Sequence, residues 1–149
     1  MNVVLVVVLV LALVAVVQAA VWIPITRSWR RKRDEFETRF QAELAATGER
    51  ILLREQGTYC GGTGSYGAVK GNGTIILTDR RLVFRKISGG LVDIARSKIT
   101  ATRQSKTFLG SRVGGRVFLV VATDDPAEVA FFVADRDAWE REVRRIGTT

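Results

Sequence analysis

The sequence predicts a mainly β domain with a C-terminal α-helix, preceded by an N-terminal transmembrane helix and a short linker helix. Three observations support this prediction. An uncharged apolar stretch opens the chain, short apolar segments separated by turn residues fill its second half, and an amphipathic helical pattern ends it. We therefore divide the 149 residues into a transmembrane helix (1–25), a basic juxtamembrane segment with the linker helix (26–48), and one compact domain (49–149).

The predicted transmembrane helix has no charged residue between positions 3 and 25. As a helix rising 1.5 Å per residue, residues 3–23 extend about 31 Å, which matches a hydrocarbon core of about 30 Å. Pro24 is expected to break the helix at the membrane boundary. The alternative is a cleaved signal peptide with small residues near Ala19, but the basic n-region is missing and the apolar run is long.

A basic cluster follows the apolar stretch directly, and no Lys or Arg precedes it. The positive-inside rule then places the N-terminus outside the cell membrane and residues 27–149 in the cytoplasm. The cluster is at least a stop-transfer signal, and each cation near the surface adds about 1 kcal/mol of attraction to anionic headgroups. With two tryptophans suited to the interfacial belt, the predicted membrane-surface residues are Trp22, Arg27, Trp29, Arg30, Arg31, Lys32 and Arg33.

The composition excludes several classes of function. The chain has no histidine and one cysteine, Cys60, which excludes His-based triads, Cys/His zinc sites and intramolecular disulfides. The net charge is +8, but residues 34–149 hold 18 basic and 15 acidic residues and so carry only +3. Because no basic stripe interleaved with aromatics lies on the domain, nucleic-acid binding is not expected. We expect no catalytic residue, no metal and no cofactor.

The linker helix is predicted from an apolar stripe after residue 34. Phe36, Phe40 and Leu44 recur at helical spacing on one face, and Gly48 suits the helix end. This face could pack on its own domain, lie at the membrane surface, or pair with a second copy.

A glycine-rich stretch over residues 57–73 resembles a phosphate-binding loop in part. Residues 62–69 match G-x-G-x-x-G-x-V, the pattern of a kinase phosphate loop, and Lys86 follows on an apolar segment. An ATP-using enzyme is therefore an alternative, but no Asp-Phe-Gly occurs and only 63 residues follow Lys86, too few for a second lobe. Ala68 stands where a Walker lysine is required. We interpret the stretch as a flexible hairpin connection.

Short strands alternate with turn signals through the domain. Asp79 is expected to close a tight hairpin turn through its own side chain, and Gly89 and Gly90 suit the next turn. Asp137 with Glu140 suggests a capping box for the final helix. The apolar face of that helix should pack on a sheet or at a barrel end, and it consists of Trp139, Val143 and Ile146.

One hairpin carries a resemblance to a known family. Residues 73–84 read Gly-Thr-Ile-Ile-Leu-Thr-Asp-Arg-Arg-Leu-Val-Phe and resemble the G-x-h-x-L-T-D-x-R-L-h-F hairpin (h, apolar) of GRAM and bacterial pleckstrin-homology (PH)-like domains. Residues 48–52 and 135–146 resemble the first strand and the terminal helix of that family. The resemblance implies a PH-like (GRAM-like) barrel of about seven strands, built from two near-orthogonal sheets and capped by a helix, which serves as a binding module.

Lipid-binding PH domains commonly use a basic pocket near the first hairpin loops, and here Lys70 is the only basic residue of that loop. By resemblance, the candidate ligand contacts are Lys70, Arg80, Arg81 and Arg85, although the arginines could instead pair with nearby acids. The expected function is that of a single-pass, membrane-anchored PH/GRAM-like module, with anionic membrane lipids or an unidentified membrane protein as its partner. The alternative is a structural subunit that assembles with a membrane complex through the linker helix and the β domain.

Overall fold

The computed structural model describes the backbone of residues 3–147 and the side chains of residues 6–18, 20, 35 and 37–146. The chain divides into two units, Met1–Thr47 and Gly48–Thr149.

The first unit is one long helix, α1 (Val3–Thr47). The prediction that Pro24 breaks this region into two helices is wrong, because α1 continues through that position. A proline removes one backbone hydrogen bond, and residues 26–47 contain no further Pro and no Gly that would stop the helix. Gly48 follows with a φ of +65°, as is common just after a helix end. Over the part of the chain that the structure describes, no helix has the length and apolar content needed to cross a membrane.

Over residues 48–147, the second unit contains seven strands and one α-helix, as the sequence pattern predicts. In chain order the elements are β1 (Ile51–Gly62), β2 (Gly71–Thr78), β3 (Arg81–Lys86), β4 (Leu91–Ala95), a 3₁₀ turn (Arg96–Lys98), β5 (Ile99–Ser105), β6 (Phe118–Thr123), β7 (Glu128–Phe132) and α2 (Arg136–Gly147). The strands form one antiparallel sheet in the order β4-β3-β2-β1-β7-β6-β5. The family resemblance implied two sheets in a barrel, whereas the seven strands of the described chain belong to a single open sheet with β4 and β5 at its edges.

The longest strand, β1, joins the two halves of the sheet. Its first part pairs with β2 and its last part with β7, and the register shifts between Tyr59 and Gly62. Such an irregularity bends a strand and increases its twist. β1 therefore pairs with both halves, and the strands of the described residues form one continuous sheet where two were expected.

The glycine-rich stretch is mostly strand, so its interpretation as a flexible connection is wrong for all but residues 63–70. Two of its glycines permit close approach of neighbouring backbones. A Cβ on Gly57 would lie 2.8 Å from the carbonyl oxygen of Phe132, and one on Gly73 would lie 1.8 Å from that of Arg85. Neither position has room for a side chain, and this requirement explains why glycine occurs there.

The main core lies between the inner face of the sheet and α2. The predicted face of α2 is confirmed, because Trp139, Val143 and Ile146 are buried in this core. Tyr59, Phe84 and Phe131 contact one another at its centre, with ring centroids 5.6–5.8 Å apart. A second, smaller cluster lies on β1, β6 and β7 beside the β5–β6 loop and contains Cys60, Phe108, Phe118, Val120 and Ala130.

The N-terminus of α2 is capped by Asp135, two residues earlier than predicted. The carboxylate of Asp135 accepts a hydrogen bond from the backbone N–H of Ala138 at 3.0 Å, which is the geometry of an N-cap. The predicted capping box of Asp137 and Glu140 is wrong, since both carboxylates accept hydrogen bonds from Gln104 Nε2, at 2.7 and 2.8 Å. These bonds join α2 to β5.

Candidate functional site

The residues predicted at the membrane surface all lie within α1. Their side chains lie outside the described ones, so their role stays a prediction. They are Trp22, Arg27, Trp29, Arg30, Arg31, Lys32 and Arg33.

Arg81 forms ion pairs that stabilise the start of the domain. Its guanidinium contacts the carboxylate of Glu49 at 3.0 Å and that of Asp93 at 2.9 Å, and only 18% of its side chain is exposed. Thr78 also donates a hydrogen bond to Glu49. The alternative interpretation, in which the hairpin arginines pair with nearby acids, therefore describes Arg81.

The turn between β2 and β3 is closed by Thr78, and not by Asp79 as predicted. The hydroxyl oxygen of Thr78 accepts hydrogen bonds from the backbone N–H groups of Arg80 and Arg81, at 3.2 and 3.0 Å. Asp79 instead accepts a bond from the backbone N–H of Arg50 at 3.1 Å, and this bond lowers the pKa of the Asp79 carboxyl. The side chain of Arg80 is exposed at this turn.

Lys70 lies at the other end of the β2–β3 hairpin from Arg80 and Arg81. β2 begins at Gly71, which lies against Lys86 at the end of β3. Five residue steps along β3 from Arg81 to Lys86 correspond to about 17 Å. The structure therefore does not bring the four candidate ligand contacts into one pocket: Lys70 lies at one end, Arg80 and Arg81 at the other, and Arg85 on the half-buried side of β3.

Lys70 instead belongs to a surface where three loops meet. We call this surface the loop face and define it as residues 63–70 (the β1–β2 loop), 86–91 (the β3–β4 turn and its flanks) and 106–117 (the β5–β6 loop). Lys70 Nζ donates to Ser111 Oγ at 3.1 Å, which joins the first and third loops. Lys86 Nζ donates to the carbonyl oxygen of Val69 at 2.7 Å, which joins the first and second.

The loop face is anchored to the core through Tyr59. The Tyr59 hydroxyl donates to the carbonyl oxygen of Gly67 at 2.7 Å, and the ammonium of Lys86 lies 4.4 Å from the centre of the Tyr59 ring, a cation–π distance. Burial raises the pKa of Tyr59 to about 12. The β1–β2 loop is therefore held by side chains from inside the domain.

The loop face concentrates exposed apolar side chains. Within the domain, over described residues 48–146, six large apolar side chains are exposed, and all except Ile51 belong to this face. The five are 38–74% exposed and comprise Val69, Ile87, Leu91, Leu109 and Val113.

The loop face is also basic throughout. Its three segments contain no Asp and no Glu. Glu128, the first residue of β7, borders the face by accepting a hydrogen bond from the backbone N–H of Thr63 at 2.9 Å, and its carboxylate pairs with Arg103. The preceding β6–β7 turn carries Asp124 and Asp125, of which Asp125 pairs with Lys98 at 3.7 Å. The five basic residues of the face are Lys70, Lys86, Lys106, Arg112 and Arg116.

Sequence reasoning identified only Lys70 of this surface. A signal was present, because residues 106–117 combine three basic residues with Leu109 and Val113 and no acid. What the sequence could not show is that this loop reaches the β1–β2 loop from across the sheet.

The described residues offer no site for metal chemistry, since no three His, Cys, Asp or Glu side chains among them are grouped to hold an ion. The thiol of Cys60 is buried, and burial raises its pKa to about 11. At neutral pH it therefore stays protonated and is a poor nucleophile.

Comparisons with known proteins give a likeness of fold. No protein-family model and no curated protein matches the chain. Among solved structures, the C-terminal domain of an unknown protein from Leishmania infantum superposes with a TM-score of 0.55 at 14% identity, covering 76% of this chain and 99% of that one. The Vps36 N-terminal PH domain superposes with a TM-score of 0.49 at 17% identity, over 67% of this chain and 80% of that one. The first likeness concerns the fold alone, and the second is too low to support an inference.

Proposed function

We propose that this chain is a non-catalytic binding module that α1 tethers to a membrane and whose β domain docks at the membrane surface. Residues 73–84 resemble the hairpin of PH-like domains, and the observed order of seven antiparallel strands followed by a C-terminal helix agrees with that fold. Binding modules of this kind work through their surfaces and loops, so the absence of histidine from the chain is no obstacle to this function.

The observation that carries the tether is the exposure of the apolar side chains in the first part of α1, residues 6–17. The large apolar side chains between Val6 and Val17 are 41–65% exposed, and positions 6–11 are exposed consecutively, which covers every direction around a helix. A helix that is apolar on all sides needs an apolar environment on all sides. A lipid bilayer supplies one. By sequence, the uncharged stretch continues beyond these described side chains to Ile25, and residues 3–25 together have the length of a membrane span.

The basic residues after the apolar stretch support a cytoplasmic location for the domain. A tether keeps the domain near the lipid surface, so that a weak interaction becomes effective through raised local concentration. A tether suits this domain, because its four candidate ligand contacts do not line one pocket.

Alkaline carbonate extraction of membranes from cells that express the full chain tests the tether. We expect the chain to remain in the membrane pellet. A variant with Val10→Asp and Val14→Asp should be released, because each acid near a helix centre costs about 2.5–3.5 kcal/mol of insertion free energy, whereas Val10→Leu with Val14→Leu should stay. Recovery of the unaltered chain as a soluble species, or cleaved near Ala19 and exported, would contradict the proposal.

A binding measurement tests the non-catalytic part. The intact chain in mild detergent should neither bind ATP nor hydrolyse it. ATP binding that is lost on Gly64→Val, and retained on Gly67→Ala in the same loop, would instead assign the glycine-rich stretch to nucleotide chemistry.

A further inference from the structure

We propose that the loop face is the surface through which the domain docks, and that its partner is an anionic lipid bilayer into which the aliphatic tips of the three loops insert. This inference rests on the proposed function in one respect: the tether supplies the bilayer. It assigns the docking to particular residues, most of which belong to the β3–β4 turn and the β5–β6 loop.

Shape is the first argument. The five exposed aliphatic side chains of the loop face come from three separate loops, and glycines flank several of them, as in Leu109-Gly110 and Val113-Gly114. All five are 38–74% exposed, so their ends project from the loops as separate apolar tips. Tips of this kind suit insertion into a deformable apolar layer, whereas a protein partner would need a matching set of cavities.

Charge is the second argument. Five basic residues and no acidic residue accompany the apolar tips, and Lys70, Lys106, Arg112 and Arg116 are exposed. Long basic side chains lay their methylene stems along an apolar surface and keep their charge in the headgroup layer. A surface that combines exposed apolar tips and cations, with no acid in the same loops, is therefore complementary to an anionic membrane, whose headgroups carry negative charge above the acyl chains.

Rigidity is the third argument. The Lys70–Ser111, Lys86–Val69 and Tyr59–Gly67 hydrogen bonds hold the three loops together before any partner arrives. A preorganised surface loses little conformational freedom when it binds. The tips can therefore insert together, so that their small apolar contributions to the free energy of binding add.

The opposite end of the sheet provides a matched control. There the β2–β3 turn places the exposed Arg80 beside Asp79, and the neighbouring Arg81 is paired with Glu49 and Asp93. This end carries charge of both signs. If the domain docks on the bilayer through the loop face, Arg80 at the opposite end should remain exposed to water.

The experiment places a fluorescent probe at each end of the domain in the full-length chain. Leu109→Cys and Ile87→Cys report on the loop face and Arg80→Cys on the opposite end, each labelled with an environment-sensitive dye. Cys60 is buried and should not react, which labelling of the parent chain verifies. The proteins are reconstituted into vesicles of phosphatidylcholine alone or with 30% phosphatidylserine, with or without lipids that carry a quencher in the acyl chain.

We expect acyl-chain quenching and a blue shift at Leu109→Cys and Ile87→Cys in the anionic vesicles, and neither effect at Arg80→Cys. Arg112→Gln and Lys106→Gln in the Leu109→Cys background should each lower the docking equilibrium constant about fivefold, the value for one surface charge, and 0.5 M salt should lower it further. Equal thermal unfolding of all variants shows that the fold is retained.

Three outcomes would overturn the inference and leave the tether standing, provided that carbonate extraction still retains the chain. They are no quenching at either end, equal quenching at both ends, and quenching in neutral vesicles that the charge substitutions do not change. A fourth is probe protection in native membranes but not in pure lipid vesicles, which would assign the loop face to a membrane protein.

Discussion

Replacing Gly73 by alanine tests whether the glycines of the 57–73 stretch serve the sheet. The added Cβ would lie 1.8 Å from the carbonyl oxygen of Arg85 and 2.9 Å from the ring of Phe84. An ordinary contact of such a Cβ begins at 3.4 Å, so β2 and β3 would have to separate locally by about 1.6 Å. A normal ladder bond of about 2.9 Å would then become too long to be a hydrogen bond.

The cost follows from that displacement. Loss of two ladder bonds costs about 2 kcal/mol, and forcing a methyl group into a packed site adds about 1–3 kcal/mol. We therefore expect Gly73→Ala to lower the free energy of unfolding by about 3 kcal/mol or more. For a domain of this size, 1 kcal/mol corresponds to a shift in Tm of about 4–8 °C, so the expected fall is at least about 12 °C.

The assay is thermal unfolding of the full-length chain in mild detergent, followed by near-ultraviolet circular dichroism. Gly67→Ala is the matched control, because nothing lies within 4 Å of the position its Cβ would take. That substitution should be neutral or should stabilise the domain by up to about 1 kcal/mol through the unfolded state. If Gly73→Ala unfolded within 2–3 °C of the parent chain, roughly the effect of half a kcal/mol, the close strand pairing at this glycine would be refuted.

Three further predictions concern groups inside the domain. Arg81→Met should lower the free energy of unfolding by about 3 kcal/mol, because it leaves Glu49 as a buried carboxylate without its cation. Asp135→Ala should cost about 1 kcal/mol through loss of the α2 cap. Stability should fall as the pH rises from 9 to 12, because the folded chain holds the protons of Tyr59 and Cys60, whose pKa values are about 12 and 11, after the unfolded chain has released them.

Each of these predictions has a control in the same region. Adding Glu49→Gln to Arg81→Met should recover part of the loss, and simple additivity in chemical denaturation would contradict the buried pair. Asp137→Ala should cost less than Asp135→Ala in the same measurement, and the reverse order would restore the capping box of Asp137. Cys60→Ala should remove the part of the alkaline loss that begins near pH 9, and an unchanged pH profile would contradict the burial of its thiol.

The sequence predicted the strands and their order along the chain because apolar alternation and turn residues are local signals. The same locality explains the errors. Asp79 and Asp137 were assigned to the nearest turn and helix start, yet their carboxylates accept hydrogen bonds from Arg50 and Gln104, which are distant in sequence. The sequence predicts a flexible connection at Gly73, because the group that constrains this glycine, the carbonyl oxygen of Arg85, lies across the β2–β3 pair.

The candidate site shows the same limit with a functional consequence. Family resemblance directed attention to Lys70, Arg80, Arg81 and Arg85 as one basic group, but the hairpin places Arg81 and Lys70 at opposite ends. Lys70 contacts the β5–β6 loop through its hydrogen bond to Ser111, which lies more than forty positions later in the chain. Adding the β3–β4 and β5–β6 segments to the surface changes its chemistry, because a loop with one lysine becomes a face with five cations and five exposed aliphatic side chains. One lysine has little attraction for a membrane, whereas the binding free energies of several apolar and basic side chains on a rigid surface add together.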